Sequence, residues 1–422
     1  MPETITEPGL LDLSRYIRSG DTVVWGQACG EPQTLTETLL AQRASIGPFR
    51  CFLGIPAART VRPEHGDHVR FVSYCGSGGN KKLYADGVLD VVPSHYSTLP
   101  HLLAGGSLRA DVVLIQVAPA GADGRHSLGL ADDYVSAAIP GARVVIAEVN
   151  DQVPRTPGDW MPRTADFDVV VHTSRAPAEM PPRAITAQTQ RIAEHVAGLI
   201  DDGATLQFGI GALPEAVLSQ LTDRTDLGVH SGLLNDTAAE LMAAGVITNA
   251  RKSVDRGRSV AGLLMGTRRL FRFADGNPAI QLRGTRYTHD PSVLAAQDRL
   301  VAVNSAVEVD LTGQVNAEVA GGQYVGAVGG AVDFLRGASR SHGGKPIVAL
   351  PAMSGGTSKI VARLSGPVST ARCDAGFIVT EYGVADLRGQ PLKVRRERML
   401  AVAHPEQRPV LEAAIDNAGV PV

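Results

Sequence analysis

The sequence predicts an α/β fold, and three observations predict it. Short β-branched apolar runs recur along the chain, segments of helical periodicity separate them, and glycines cluster just after several of the runs. Continuous apolar runs of this kind suit strands buried on both faces of a parallel sheet. Their alternation with helical segments is the pattern of an α/β domain.

The elements follow in order. Residues 35–42 read as a helix. Residues 111–117 and 143–147 read as buried strands. Residues 174–184 are aperiodic and hold Pro177, Pro181 and Pro182, as linkers often do. A helix follows with Ile192, Val196, Leu199 and Ile200 on one face, and Asp201-Asp202-Gly203 stops it. Residues 205–208 read as a strand, Gly209-Ile210-Gly211-Ala212-Leu213-Pro214 as the loop after it, and a helix from Glu215, with Pro214 suited to a first turn. A helix is predicted at 294–298 and strands at 301–303, 347–350 and 377–380. Two α/β domains, 1–180 and 181–422, are the economical division.

Composition narrows the function. The 422 residues are 44% hydrophobic and 20% charged, an ordinary soluble mixture. A net charge of −3 offers no nucleic-acid or anionic-membrane footprint. Cys29, Cys51, Cys75 and Cys373 form no CxxC pair, so zinc and thioredoxin-like readings lack support and buried thiols in a reducing compartment are expected. The N-terminus has early acids and no apolar core of a signal peptide. No apolar run reaches the roughly 18–20 residues of a membrane span. A cytoplasmic location is the expectation.

Four constellations carry chemistry. In the unit at 205–220, backbone amides of Gly209-Ile210-Gly211 and the following helix N-terminus would face an anion, and a plain tight turn is the alternative reading. A third glycine is missing from that loop, so it is not a dinucleotide fingerprint. In 326–334, paired Gly329 and Gly330 let N–H groups approach a carbonyl, as an oxyanion hole requires; a plain strand–turn is the alternative. Gly78, Gly79 and Asn80 form a glycine-rich turn beside Lys81 and Lys82, which could meet a phosphate or simply be solvated. His230-Ser231-Gly232 pairs a base with a hydroxyl. Neighbours on a strand face opposite ways, however, and a strand-end loop is the competing reading. Glu308, Asp310, Glu318, Asp333, Glu381 and Asp386 are the acids near these loops.

Taken together, the segments are more specific than any one of them. Residues 304–318 (NSAVEVDLTGQVNAE) and 379–389 (VTEYGVADLRG) resemble signatures of the acetyl-CoA hydrolase/transferase family, which includes 4-hydroxybutyrate and acetate CoA-transferases. The stretches 111–119, 148–156, 205–217 and 325–338 resemble it in the same order. The resemblance implies two related α/β domains of the CoA-transferase type with the active site between them. It implies an acyl-CoA substrate, a small carboxylate acceptor, a homodimer or higher homo-oligomer, no metal, and no cofactor beyond coenzyme A as substrate. It also implies covalent catalysis. A glutamate attacks the acyl-CoA carbonyl, and CoA thiolate then attacks the glutamyl carbonyl to give an enzyme–CoA thioester.

Carried over by position, the resemblance puts Gly209, Ile210 and Gly211 at the acyl site, with the Ile210 N–H an oxyanion donor. Gly329 and Gly330 fall near the thioester and pantetheine, and Gly78, Gly79 and Asn80 in a loop facing substrate. Two departures stand out. The family's GGQVDF-like loop reads Gly329-Gly330-Ala331-Val332-Asp333-Phe334. Its His-[Ser/Thr]-Glu reads His230-Ser231-Gly232, so the nucleophile's position has no side chain. Three functions follow. One is a CoA-transferase using Glu308, Glu318 or a direct route. Another is a hydrolase or acyl transferase to a non-carboxylate acceptor, with His230 as base. The third is a non-catalytic acyl-CoA-binding protein.

Overall fold

A computed structural model of the chain describes residues 2–417. Met1 and residues 418–422, the end of the second expected domain, lie outside the described residues. The chain forms two compact units that interleave in sequence: 1–181 with 231–239 and 258–290, and 182–230 with 240–257 and 291–422. Both are α/β and built on parallel sheets, as the alternation of runs predicts.

The first unit carries eight parallel strands. Their spatial order is Glu3–Ile5, Val169–Thr173, Val144–Asn150, Val112–Val117, Thr22–Trp25, Phe49–Leu53, Val69–Ser73 and Leu89–Val91. Val112–Val117 and Val144–Asn150 are buried at every position, which is why their sequences do not alternate. The central strands and the helix Gln33–Ala41 bury Val23, Trp25, Leu35, Leu39, Phe71 and Leu114 in one core. That helix begins at Pro32 with no side-chain cap of its own. Buried Glu148 serves instead: its carboxylate accepts from Thr34 N (3.0 Å) and Leu35 N (3.3 Å), and from the hydroxyls of Thr34 and Thr173. An acid at a helix N-terminus satisfies orphan donors and complements the dipole. The pair Ser259–Leu264 and Ile280–Leu282 adds a second parallel element to this unit.

In the second unit, Thr205–Phe208 pairs with the start of Gly228–Leu234 on one side and Leu300–Ser305 on the other. Lys345–Ala349 and Phe377–Thr380 continue the parallel sheet, and Gly383–Asp386 closes it antiparallel. Leu300, Ala302, Val348 and Ile378 pack with Phe334, Leu335 and Ala338 of the helix Ala331–Arg340. A Cβ on Gly337 would lie 2.5 Å from Leu294 Cβ, so glycine lets this helix press against Pro291–Ala295.

Several boundaries move from those the sequence predicts. The helix predicted at 294–298 runs from Pro291 to Ala295, because proline starts it. The amphipathic helix spans Ala187–Ala197 and is capped by Thr186, so Leu199 and Ile200 lie beyond it. The helix after Gly211 starts at Ala212, three residues before Glu215. No helix among the described residues is long and apolar enough to cross a membrane.

Candidate active site

Two glycine loops in the second unit end at helix N-termini. Thr205–Phe208 delivers Gly209, whose N–H donates to Val303 O at 3.2 Å. Gly211 has φ +118° and ψ −178°, a conformation essentially reserved for glycine. It is the N-cap of Ala212–Ser219 and supplies no side-chain cap, so the first amides of the helix stay open to a ligand. Between the two glycines, Ile210 is 42% exposed, unusual for a large aliphatic residue. The second loop repeats the design. Gly329 is left-handed (φ +53°), and Gly330 is the uncapped N-cap of Ala331–Arg340. Each loop can present main-chain N–H groups to a carbonyl oxygen or an anion.

Three acids near these loops, Glu308, Glu318 and Asp310, are committed to protein donors. Glu308 Oε1 accepts from Asn316 Nδ2 (3.0 Å), Ser365 N (2.7 Å), Ser365 Oγ (2.9 Å) and Gly366 N (3.3 Å). Burial pushes its pKa up, but the bonds from Asn316, Ser365 and Gly366 outweigh burial and hold it below the usual range. Glu318 takes the hydroxyls of Ser369 (2.6 Å) and Tyr324 (2.5 Å). Asp310 takes Thr312 and Gln314. These are fixed acceptors that tie strands to loops.

His230 and Ser231 are fully buried, and Gly232 is half-buried in the strand Gly228–Leu234. The segment is therefore mid-strand and not a strand-end loop. In the second unit, His230 Nδ1 lies 3.2 Å from Gln297 Nε2. Val229 N–H meets Asn249 Oδ1 at 2.9 Å, and its carbonyl accepts from the buried Lys252 ammonium at 2.8 Å. In the first unit, the Gly232 carbonyl sits against Gly262, where a Cβ would lie 2.9 Å from it. The Gly262 carbonyl in turn accepts from the N–H groups of Asp132 and Asp133.

Also in the first unit, Gly78 is left-handed (φ +62°) and Asn80 opens the helix Asn80–Ala85. The Asn80 side chain is fully buried, and its Nδ2 donates to Gly54 O and Ser73 Oγ. Cys29, Cys51 and Cys75 are buried and Cys373 is exposed. Among the described residues no cluster could hold a metal ion.

Sequence reasoning passed over Lys252, Asn249 and Gln297, and the buried acids Asp132 and Asp133. Burial raises Asp132 to about 7 and Asp133 to about 6, although Ser136 bonds the first, and Tyr96, Gln27 and Thr285 bond the second. One signal was present in part: Asp133 and Asn249 are residue types that tolerate positive φ, and they adopt +48° and +57°.

Parallel α/β sheets whose glycine loops end at uncapped helix N-termini define a class: enzymes that hold a carbonyl or an anion by main-chain amides. Residues 11–180 match the acetyl-CoA hydrolase/transferase N-terminal domain and residues 266–415 its C-terminal domain, so the chain belongs to that family and is an enzyme of it. It is 37% identical over 404 residues to the 4-hydroxybutyrate coenzyme A transferase of Clostridium kluyveri, covering 93% of each chain. The crystal structure of RipA from Yersinia pestis is similar with a TM-score of 0.92 at 34% identity, over 98% of this chain and 97% of that one. The 4-hydroxybutyrate CoA-transferase of Porphyromonas gingivalis gives 0.82 at 31%, with the same coverages.

Proposed function

We propose that the chain is an acyl-CoA:carboxylate CoA-transferase that works through a ternary complex, without an enzyme-bound CoA. The observation that carries this reading is Gly232. It stands where the family's resemblance calls for a nucleophilic glutamate, on extended backbone that any residue adopts. The bonding of Glu308 and Glu318 supports it as well, since neither carboxylate is a free nucleophile.

In this reading the Ile210 N–H, with the Gly329-Gly330 loop, stabilises the oxyanion. The acceptor carboxylate attacks the thioester carbonyl and the C–S bond breaks, leaving a mixed anhydride and CoA thiolate. The thiolate then attacks the acceptor's carbonyl, the anhydride C–O bond breaks, and the first acid leaves as a carboxylate. No cofactor beyond coenzyme A takes part, and a cytoplasmic homodimer is the working form. With water in place of the carboxylate, the same centre would hydrolyse the thioester.

Initial rates and mass-resolved products test this. A panel of acyl-CoAs with and without carboxylates should give CoA transfer, intersecting double-reciprocal lines, and no adduct trapped by borohydride. Parallel lines with a trapped adduct would overturn it, and thiol release without an acceptor would reassign the enzyme as a hydrolase.

A further inference from the structure

A short hairpin in the second unit leads into the Gly329-Gly330 loop. Val319–Ala320 pairs with Gln323–Tyr324. Gly321 and Gly322 turn the chain between them at φ +55° and +76°, as a two-residue hairpin turn requires. Residues 321–323 at its tip are exposed. Two residues a strand are too few to hold a hairpin in water, so what fixes this one lies at its root.

The root is tied twice over. The Glu318 carbonyl accepts from Val325 N (2.8 Å) and Gly326 N (3.0 Å), and the Ala317 carbonyl accepts from Ala327 N (3.1 Å). Gly326 comes so close that a Cβ there would stand 1.9 Å from Ala317 O. Asn316 holds the entering strand: its Oδ1 accepts from Glu318 N and Val319 N, both at 3.0 Å, and its Nδ2 donates to Val319 O at 2.8 Å. The returning strand has one acid to hold it. Glu318 is buried, and its Oε2 accepts from Tyr324 OH at 2.5 Å. Its Oε1 accepts from Ser369 Oγ at 2.6 Å, and that same Oγ accepts from Ala317 N at 2.9 Å. Hydrogen bonds to an ionised acceptor are roughly twice as strong as neutral ones. Beyond Gly326, Ala327 and Val328 alone separate this root from Gly329.

We propose that Glu318 is a positioning residue for the Gly329-Gly330 loop. Its carboxylate joins Tyr324 on the returning strand to Ser369 on a separate segment, and so fixes the direction in which the loop presents its N–H groups. It acts through the backbone and not on the substrate. A displacement of about 1 Å at a reacting centre costs about 10²-fold in rate, so a hydroxyl that never reaches the substrate can control turnover. This role rests on the reading of the loop as part of the oxyanion hole.

Four single variants of the full chain test it: Tyr324→Phe, Glu318→Leu, Glu318→Gln and, for comparison, Asp310→Asn. Asp310 is also a buried acid, but its bonds stay within residues 310–314. Tyr324→Phe and Glu318→Leu should each lower kcat about tenfold or more while KM for the acyl-CoA stays within about threefold. Glu318→Gln keeps an acceptor for Ser369 and should restore much of the loss. Amide hydrogen exchange in Tyr324→Phe should rise over residues 325–331 and not across the rest of the chain. Asp310→Asn should lower the urea midpoint and leave kcat unchanged. Wild-type kcat in Tyr324→Phe, a loss matched by Asp310→Asn, or unchanged exchange over 325–331 overturns the proposal. Faster loop exchange in Tyr324→Phe, in a protein whose wild type transfers no CoA, overturns the transferase reading and leaves Glu318 as the residue that sets the loop.

Discussion

The ammonium of Lys252 donates to the carbonyl of Val229 at 2.8 Å, and both residues are fully buried. Asn249 Oδ1 takes the Val229 N–H, so side chains pin both main-chain groups of the residue before His230. Gly228 makes room for this arrangement, since a Cβ there would lie 2.5 Å from Lys252 Cγ. Gly228→Ala should therefore cost about 1–3 kcal/mol through overpacking. Lys252→Met should cost a similar 1–3 kcal/mol by leaving a buried carbonyl unpaired. Urea midpoints for both variants check this, and wild-type midpoints would refute it.

Gly211 separates a backbone role from a side-chain role. Its φ of +118° is closed to other residues, so Gly211→Ala should strain the loop by about 1–3 kcal/mol and move the Ile210 N–H. Loss of one oxyanion donor lowers kcat about 10²–10³-fold, and KM should move far less. Ile210→Ala keeps the N–H and removes an exposed side chain, so its kcat should stay within a few-fold of wild type. Steady-state rates on one acyl-CoA compare the two. Equal losses in both variants would contradict the backbone role.

The pair Asp132 and Asp133 should make stability fall as pH rises. Burial is the main cause that lifts them to about 7 and about 6, against about 3.9 in an unfolded chain. Between these values the native state binds more protons than the unfolded state. The pair's contribution is thus fully present below about pH 4 and is lost by pH 7 to 8, with a slope of up to about 1.4 kcal/mol per pH unit per group. Asp132 is the better probe, because its Oδ1 has no hydrogen-bond partner. In Asp132→Asn the decline in urea midpoint between pH 5 and 8 should shrink. An unchanged decline would show that Asp132 does not titrate there.

Much of this was legible in the sequence. The strand Thr205–Phe208 falls where its apolar run predicts, because it is buried throughout and bounded by glycine. The Gly228–Leu234 strand was harder to read. Gly228 and Gly232 look like breakers, and the strand buries polar His230 and Ser231 beside apolar neighbours, so no period of two appears. Asp132 and Lys252 were not legible at all, and Asp133 only as a residue type that tolerates positive φ. Isolated charged residues read as surface groups, and only the fold shows which of them are enclosed.

Gly232→Glu is the sharpest test of the reaction. Gly232 sits in extended backbone between buried Ser231 and buried Leu233, and it is itself half-buried. Extended backbone admits glutamate without strain, so this variant can supply the carboxylate that the proposed reading finds absent at this position. The expected change is one of mechanism. A glutamate that attacks the thioester splits the reaction into two half-reactions, so intersecting kinetic lines should become parallel and borohydride should trap a glutamyl adduct. Gly232→Gln, of equal size but without the carboxylate, should give no adduct and keep intersecting lines. An adduct in wild type, or none in the glutamate variant with exchange unchanged, would remove Gly232 from the explanation of how this enzyme works.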